Sequence, residues 1–203
     1  MSTDDVTPIP LLAASIRLNA VPQVVAATRL FARHNLTLWN LEEHVETVML
    51  IMSELATNAV RASITDTQTT NEETSNAVIG AQLCAVEASL FVEVYDRTNA
   101  APVRGNPTQD AEGGRGLLLV DVLAKQWNVY RPSVGGKIVW AELPLGFSLR
   151  PSDCAYEHTP LILPRGLRAK HSAEEHQVRL ALLDRLMTTT ILASTAARMT
   201  DAF

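Results

Sequence analysis

The sequence predicts an α/β protein: a two-layer sandwich whose mixed sheet carries helices on one face, with a C-terminal helical extension. Three observations lead there. Residues 88–96, Ala-Ser-Leu-Phe-Val-Glu-Val-Tyr-Asp, alternate in the manner of a strand. Val45, Val48, Met49, Met52, Leu55, Ala56 and Ala59 fall near one face of a helix. Strand-like and helix-like segments follow one another from residue 11 to residue 145, as in layered α/β architectures.

The first ten residues are polar with two prolines and read as a flexible N-terminus. Leu11 to Leu18 reads as a first strand. Pro22 is placed to open a helix running to about His34, because proline is tolerated in a first turn. Val24, Val25, Ala27, Leu30 and Phe31 fit one face of it. Asn40-Leu-Glu-Glu43 has the form of a capping box, with Asn40 as N-cap and Trp39 as a hydrophobic staple. It would start the long helix, which runs to about Ala62. Residues 65–76 contain no apolar side chain and read as a polar connector. Ala77 to Ala85 and Ala88 to Tyr95 form a predicted hairpin with its turn near Glu87. A second hairpin joins Gln126–Arg131 to Lys137–Leu143, with Val134-Gly135-Gly136 near the turn. Trp127 and Trp140 fall in these strands and read as packing residues.

The character changes at Pro144. Residues 146–171 carry Pro151, Pro160 and Pro164 with little periodicity and read as an extended segment against the domain. Ser172-Ala-Glu-Glu175 is a further capping box, opening a helix within residues 172–203. Val178, Leu182, Leu183, Leu186, Met187 and Ile191 form its apolar stripe. That stripe would either pack on the chain's own domain or serve dimerisation or partner docking.

Composition narrows the function classes. The 203 residues leave room for one domain with a proper core plus an appendage. A net charge of -5 argues against a nucleic-acid partner recruited by bulk charge and against anionic membrane surfaces. No apolar stretch is long enough to span a bilayer, and the acidic N-terminus lacks the features of a signal peptide. Two cysteines, Cys84 and Cys154, indicate no disulfide framework, and Cys84 reads as a small buried residue. The five histidines show no metal-binding spacing. Together these features predict a cytoplasmic protein.

Two stretches carry chemistry. Glu54 and Asn58 are four apart on the long helix and Arg61 follows three later, so the three stack on one side. An amide oxygen suits Mg²⁺, which keeps several waters and takes few protein ligands. A carboxylate one turn away could accept a proton from an attacking hydroxyl or water. The alternative is a solvated polar face. The second stretch is Glu112-Gly113-Gly114-Arg115-Gly116, followed at once by the apolar run 117–124. Glycines let backbone N–H groups approach a ligand, and the helix start adds free N–H groups and a positive dipole end. The alternative is an ordinary glycine-rich turn; the stretch matches neither a P-loop nor a dinucleotide fingerprint.

In combination the order is distinctive: E-x-x-x-N on a helix, a strand ending in Asp96, a polar loop, G-G-R-G-L, a short helix, and a last strand from Lys137. Residues 11–145 thereby resemble the GHKL (Bergerat-fold) ATPase superfamily, and most closely its anti-sigma-factor serine kinase branch. The resemblance implies ATP and Mg²⁺ as ligands. It implies that Asn58 coordinates Mg²⁺, that Glu54 is the general base, and that Asp96 accepts a hydrogen bond from the adenine amino group. Gly114, Arg115, Gly116 and Leu117 would supply phosphate contacts at the helix start, and Arg97 to Glu112 would form a lid over ATP. Arg115 has a second reading, as a clasp to Asp110 or Asp121.

Two positions depart from the family pattern. The usual strand end is Asp-x-Gly-x-Gly, and here it is Asp96-Arg-Thr-Asn-Ala100. A hydroxyl residue usual in the last strand is replaced at the position assigned to Ile138. Both changes fall on the adenine side. The resemblance implies a Mg-ATP-dependent serine/threonine kinase that phosphorylates an antagonist protein, binds a sigma factor and can form a homodimer. The alternative is a nucleotide-sensing binding or scaffold protein with weak or no catalysis, acting through the lid and the C-terminal helix.

Overall fold

The computed structural model describes residues 11–70, 77–102, 116–133 and 135–150, with backbone alone at 11 and 66–70. Five strands form one sheet: β1 (Leu11–Asn19), β2 (Val78–Val86), β3 (Ser89–Asp96), β4 (Gln126–Tyr130) and β5 (Lys137–Pro144). Among the described residues three α-helices join them: α1 (Val24–Leu38), α2 (Val45–Thr70) and α3 (Gly116–Leu123). The strand order is β1-β2-β3-β5-β4. Each neighbouring pair is antiparallel. The two-layer α/β class is as expected, but the sheet is antiparallel throughout rather than mixed. The reason is the connection through α3 and β4, which returns β5 beside β3 in the opposite direction.

The strand alternation sorts side chains to two faces. Leu90, Val92 and Val94 of β3 join Val139, Ala141 and Leu143 of β5 in the main core. Val48, Ile51, Met52, Leu55 and Ala56 of α2 complete it, with Val24, Phe31 and Leu36 of α1. α2 packs across β3 and against both other helices. On the opposite face Cys84, Val86 and Phe91 cluster with Trp140, and Tyr95 with Ile138. Cys84 is buried there, as expected.

The α1–α2 junction differs from the expected capping box. Asn40 has a positive φ of 56°. Its N–H donates to the Thr37 carbonyl, and the N–H of Leu41 donates to that of Leu36 over 2.8 Å. This is a Schellman closure with Asn40 in the left-handed position. Asn40 therefore ends α1, which runs four residues past His34. Trp39 is the C-cap of α1 and is buried in the core. A single 3₁₀ turn at Glu42–His44 then leads into α2, with no side-chain cap. An asparagine serves either helix end, so the tetrapeptide alone did not decide between them.

α2 continues to Thr70, eight residues beyond the expected end at Ala62. Residues 65–70, read as connector, are its last turns. Lack of apolar side chains removes a packing face but not the backbone ladder, which here propagates from a well-packed helix. Both hairpins form as expected, the first turning at Glu87 with φ 50°. Beyond β5, the N–H groups of Leu145 and Leu149 donate to Ala88 and Glu87 carbonyls, and both side chains enter the core. The predicted helix within 172–203 and most of the proline-containing segment lie outside the described residues.

Candidate functional site

Glu54 and Asn58 sit in the middle of α2, one turn apart, where the helix passes between β3 and α3. The helix buries Ile51, Met52, Leu55 and Ala56 at under 2% exposure, which fixes its rotation. That rotation leaves Glu54 and Asn58 half-buried rather than on the solvent face, whereas Arg61 is exposed. Neither the Glu54 carboxylate nor the Asn58 amide makes a hydrogen bond or ion pair among the described residues. The structure thus holds a half-buried carboxylate and a half-buried amide that no described residue engages.

α3 begins at Gly116, and its first residue lies against Glu54. A Cβ built on Gly116 would overlap Glu54 Oε2 and come within 3.0 Å of its Cδ. A glycine at this position is what lets the start of α3 approach the carboxylate. The free N–H groups of that helix start are the natural seat for an anion. Leu117 is buried in the core, so only its backbone could take part in such a seat. Gly114 and Arg115 lie outside the described residues, as does most of the segment read as a lid.

Asp96 ends β3 on the helix-facing side of the sheet, two residues beyond Val94 of the core and on the same face. It is 1% exposed, and its Oδ1 accepts three hydrogen bonds. These come from the Thr98 N–H at 2.9 Å, the Thr98 hydroxyl at 2.7 Å and the Lys137 ammonium at 2.8 Å. Lys137, itself 3% exposed, is also 2.6 Å from Thr98 Oγ1 and 3.5 Å from the Thr98 carbonyl. Burial pushes the Asp96 carboxyl above its usual range, outweighing the opposing pull of Lys137 and Thr98. Gly136, at φ 77°, allows this closeness: a Cβ there would overlap the Asp96 carbonyl oxygen. The Thr98 bonds also show how the chain turns after Asp96 without the glycines of the related pattern. The threonine closes the turn onto the aspartate side chain.

The register corrects one assignment. Asp96 pairs across the strands with Lys137, and Ile138 pairs with Tyr95. Ile138 points to the opposite face of the sheet, into the cluster with Tyr95 and Tyr130. The position beside Asp96 therefore belongs to Lys137. Sequence reasoning missed Lys137 and Thr98. The available signal was strand parity: Val139, Ala141 and Leu143 are the apolar half of β5, and Lys137 shares their face.

Among the described residues no group of three His, Cys, Asp or Glu side chains could hold a metal ion by itself. A Mg²⁺ held by one amide and by ligand phosphates needs no such group, and Asn58, one turn along α2 from Glu54 and unpartnered among the described residues, fits that donor set. No helix of the described residues is long and apolar enough to cross a membrane.

Comparison with known proteins agrees with this geometry. A family model described as the histidine kinase-like ATPase domain matches residues 18–143. No curated protein matches the chain significantly.

Proposed function

The chain belongs to the histidine kinase-like ATPase domain family, and on that premise we propose that it is a cytoplasmic Mg-ATP-binding regulator that phosphorylates a serine or threonine of a partner protein. The partner would be an antagonist of an anti-sigma factor, and the chain would also bind the sigma factor, controlling transcription. The membership supports ATP as the ligand. One observation supports the site most directly. Glu54 and Asn58 lie one turn apart, half-buried and without partners among the described residues, and Glu54 lies against the start of α3.

ATP supplies a transferable phosphoryl group. Asn58 would offer its amide oxygen to the Mg²⁺ that offsets charge on the phosphates. The N–H groups at the start of α3, around Gly116 and Leu117, would bind and orient phosphate oxygens, together with Gly114 and Arg115. Glu54 would hold the acceptor hydroxyl and take its proton at the carboxylate.

Titration calorimetry with ATP, with and without Mg²⁺, tests this reading. Micromolar binding that requires Mg²⁺ is expected. No binding at millimolar ATP, in protein shown to be folded and nucleotide-free, would overturn it.

A second reading is favoured by the Lys137–Asp96 ion pair. If that pair weakens nucleotide binding, the chain would act as a nucleotide sensor or scaffold rather than an efficient kinase. Single-turnover assays with γ-labelled ATP separate the two: a sensor binds ATP and leaves its γ-phosphate in place.

A further inference from the structure

We propose that the helix predicted within residues 172–203 lies along β2 and β3, on the face of the sheet opposite α1, α2 and α3, with Arg179 set against Glu93. This contact does not depend on the nucleotide-binding reading.

The described helices pack on one face of the sheet, where they share the core with Leu90, Val92 and Val94. An antiparallel sheet in a two-layer sandwich commonly leaves its other face in water. Here the middle of that other face is dry. Gln82 is 3% exposed, Cys84 0%, Phe91 3%, Glu93 0% and Tyr95 6%. Neighbours of similar height on a sheet shield one another's flanks but not their tips, so a further layer must lie across these side chains. The same face is open at the sheet's edges: Ala13 of β1 and Gln126 and Asn128 of β4 are exposed. The register puts Ala13, Cys84, Phe91 and Gln126 in one row across the sheet. The covered strip therefore follows β2, β3 and β5 and is roughly 10–14 Å wide at about 4.8 Å between strands. One helix with its side chains is about 10–12 Å across. A second sheet would cover the edges as well.

The chain itself supplies such a helix. The Leu149 N–H donates to the Glu87 carbonyl at the β2–β3 turn, so the described chain stops, at residue 150, beside one end of the strip. Residues 151–171 reach up to about 70 Å when extended, enough to bring residue 172 to either end. The apolar stripe from Val178 to Ile191 is about 20 Å long in a helix, within the roughly 30 Å of the nine-residue β2. Residues 1–10, 71–76 and 103–115 carry no apolar stripe of comparable length. Residues 161–163 are apolar, but they sit between Pro160 and Pro164 and are too few to run the length of β2.

Charge fixes which part of the helix meets which part of the strip. Arg179 precedes Leu182, Leu183 and Leu186 by three, four and seven residues, which places it inside the stripe and not on the outer face. Glu93 lies in the middle of the strip, and its Oε2 accepts from Gln82 Nε2 at 2.8 Å. A carboxylate taken wholly out of water is costly, and so is a guanidinium within an apolar stripe; facing each other, the two offset that cost. The stripe is then occupied within the chain and is not offered to a partner.

The test uses the full chain. p-Benzoylphenylalanine in place of Trp140, half-buried on this face, is irradiated in dilute folded protein, and the adduct is mapped by mass spectrometry. An adduct to residues 172–203 of the same molecule is expected. An adduct to any other segment, or none, overturns the inference. So does an adduct joining two chains, which would put a second copy on this face. Melting of Arg179→Met, Glu93→Gln and the double variant tests the pairing separately. Each single variant is expected to lower the midpoint by roughly 5–10 °C, as for breaking a buried pair. The double variant should lose clearly less than the sum of the two. Additive losses, or no loss in Arg179→Met, overturn the inference even if the protein carrying the photoreactive residue does not fold.

Discussion

The carboxylate of Glu54 and the backbone of Gly116 are in contact, although they come from separate helices. The middle of α2 and the first residue of α3 meet at a point where no side chain larger than hydrogen fits on residue 116 without moving Glu54. Gly116→Ala should therefore act at a distance of one contact. The new methyl would displace the far end of a flexible side chain, so loss of stability should stay near 1 kcal/mol. Phosphoryl transfer should fall by about 10²-fold or more, as for loss of a positioned base. Transfer rate and chemical denaturation, measured together, check this. Full activity in Gly116→Ala would remove Glu54 from the reaction.

Asn58→Ala should weaken Mg-dependent ATP binding by tenfold or more. Because Asn58 makes no hydrogen bond among the described residues, the fold should lose no more than about 0.5 kcal/mol. Calorimetry at fixed Mg²⁺ and a melting curve give both numbers. A large drop in melting temperature with unchanged affinity would make Asn58 structural.

Asp96 and Glu142 should give opposite pH dependences. Burial raises the folded-state value of Asp96 above its ordinary 3.8. Its contribution is thus fully present below that value and is lost as pH rises through the raised one. The stability of the parent relative to Asp96→Asn/Lys137→Met should therefore fall as the solution leaves the acid range, then level off. For Glu142 burial pushes upward, but hydrogen bonds from Ser89, Lys125 and Gln126 more than offset it, and the folded value lies below 4.5. Its contribution is present above 4.5 and is lost as pH falls through the lowered value. Stability of Glu142→Gln relative to the parent should thus improve on acidification. Urea denaturation across pH 3 to 8 (roughly the carboxylate range and beyond) resolves both signs.

Asn40→Ala should destabilise the protein by about 1 kcal/mol, because alanine tolerates the left-handed backbone poorly. Asn40→Gly should be neutral or stabilising. If Asn40 were instead an N-cap of α2, the two substitutions would not separate in this way. Equilibrium unfolding of the pair decides.

Much of this architecture was legible from periodicity. The four strands of the two hairpins and the rotation of α2 follow from which residues are apolar, and burial obeys the same rule. Helix ends were less legible, for two reasons. Asn40 satisfies both the start and the stop chemistry of a helix, and only the Leu41-to-Leu36 hydrogen bond decides. The polar residues 65–70 carry no packing signal, so their helical state depends on continuation from the turns before them. At the site, Glu54, Asn58 and Gly116 were visible because each sits in a short local pattern. Lys137 was not, because its importance depends on a cross-strand register that no local pattern encodes. A shift of one residue in that register moved the assignment from Lys137 to Ile138, and with it from one face of the sheet to the other.

The alternation along β5 has an evolutionary consequence. Lys137 and Ile138 are neighbours in sequence but serve different faces, the one beside Asp96 and the other in the Tyr95 cluster. The partner of Asp96 could thus change through a single codon at position 137. Ile138, next to it in sequence, would take no part in that change because it packs on the other face.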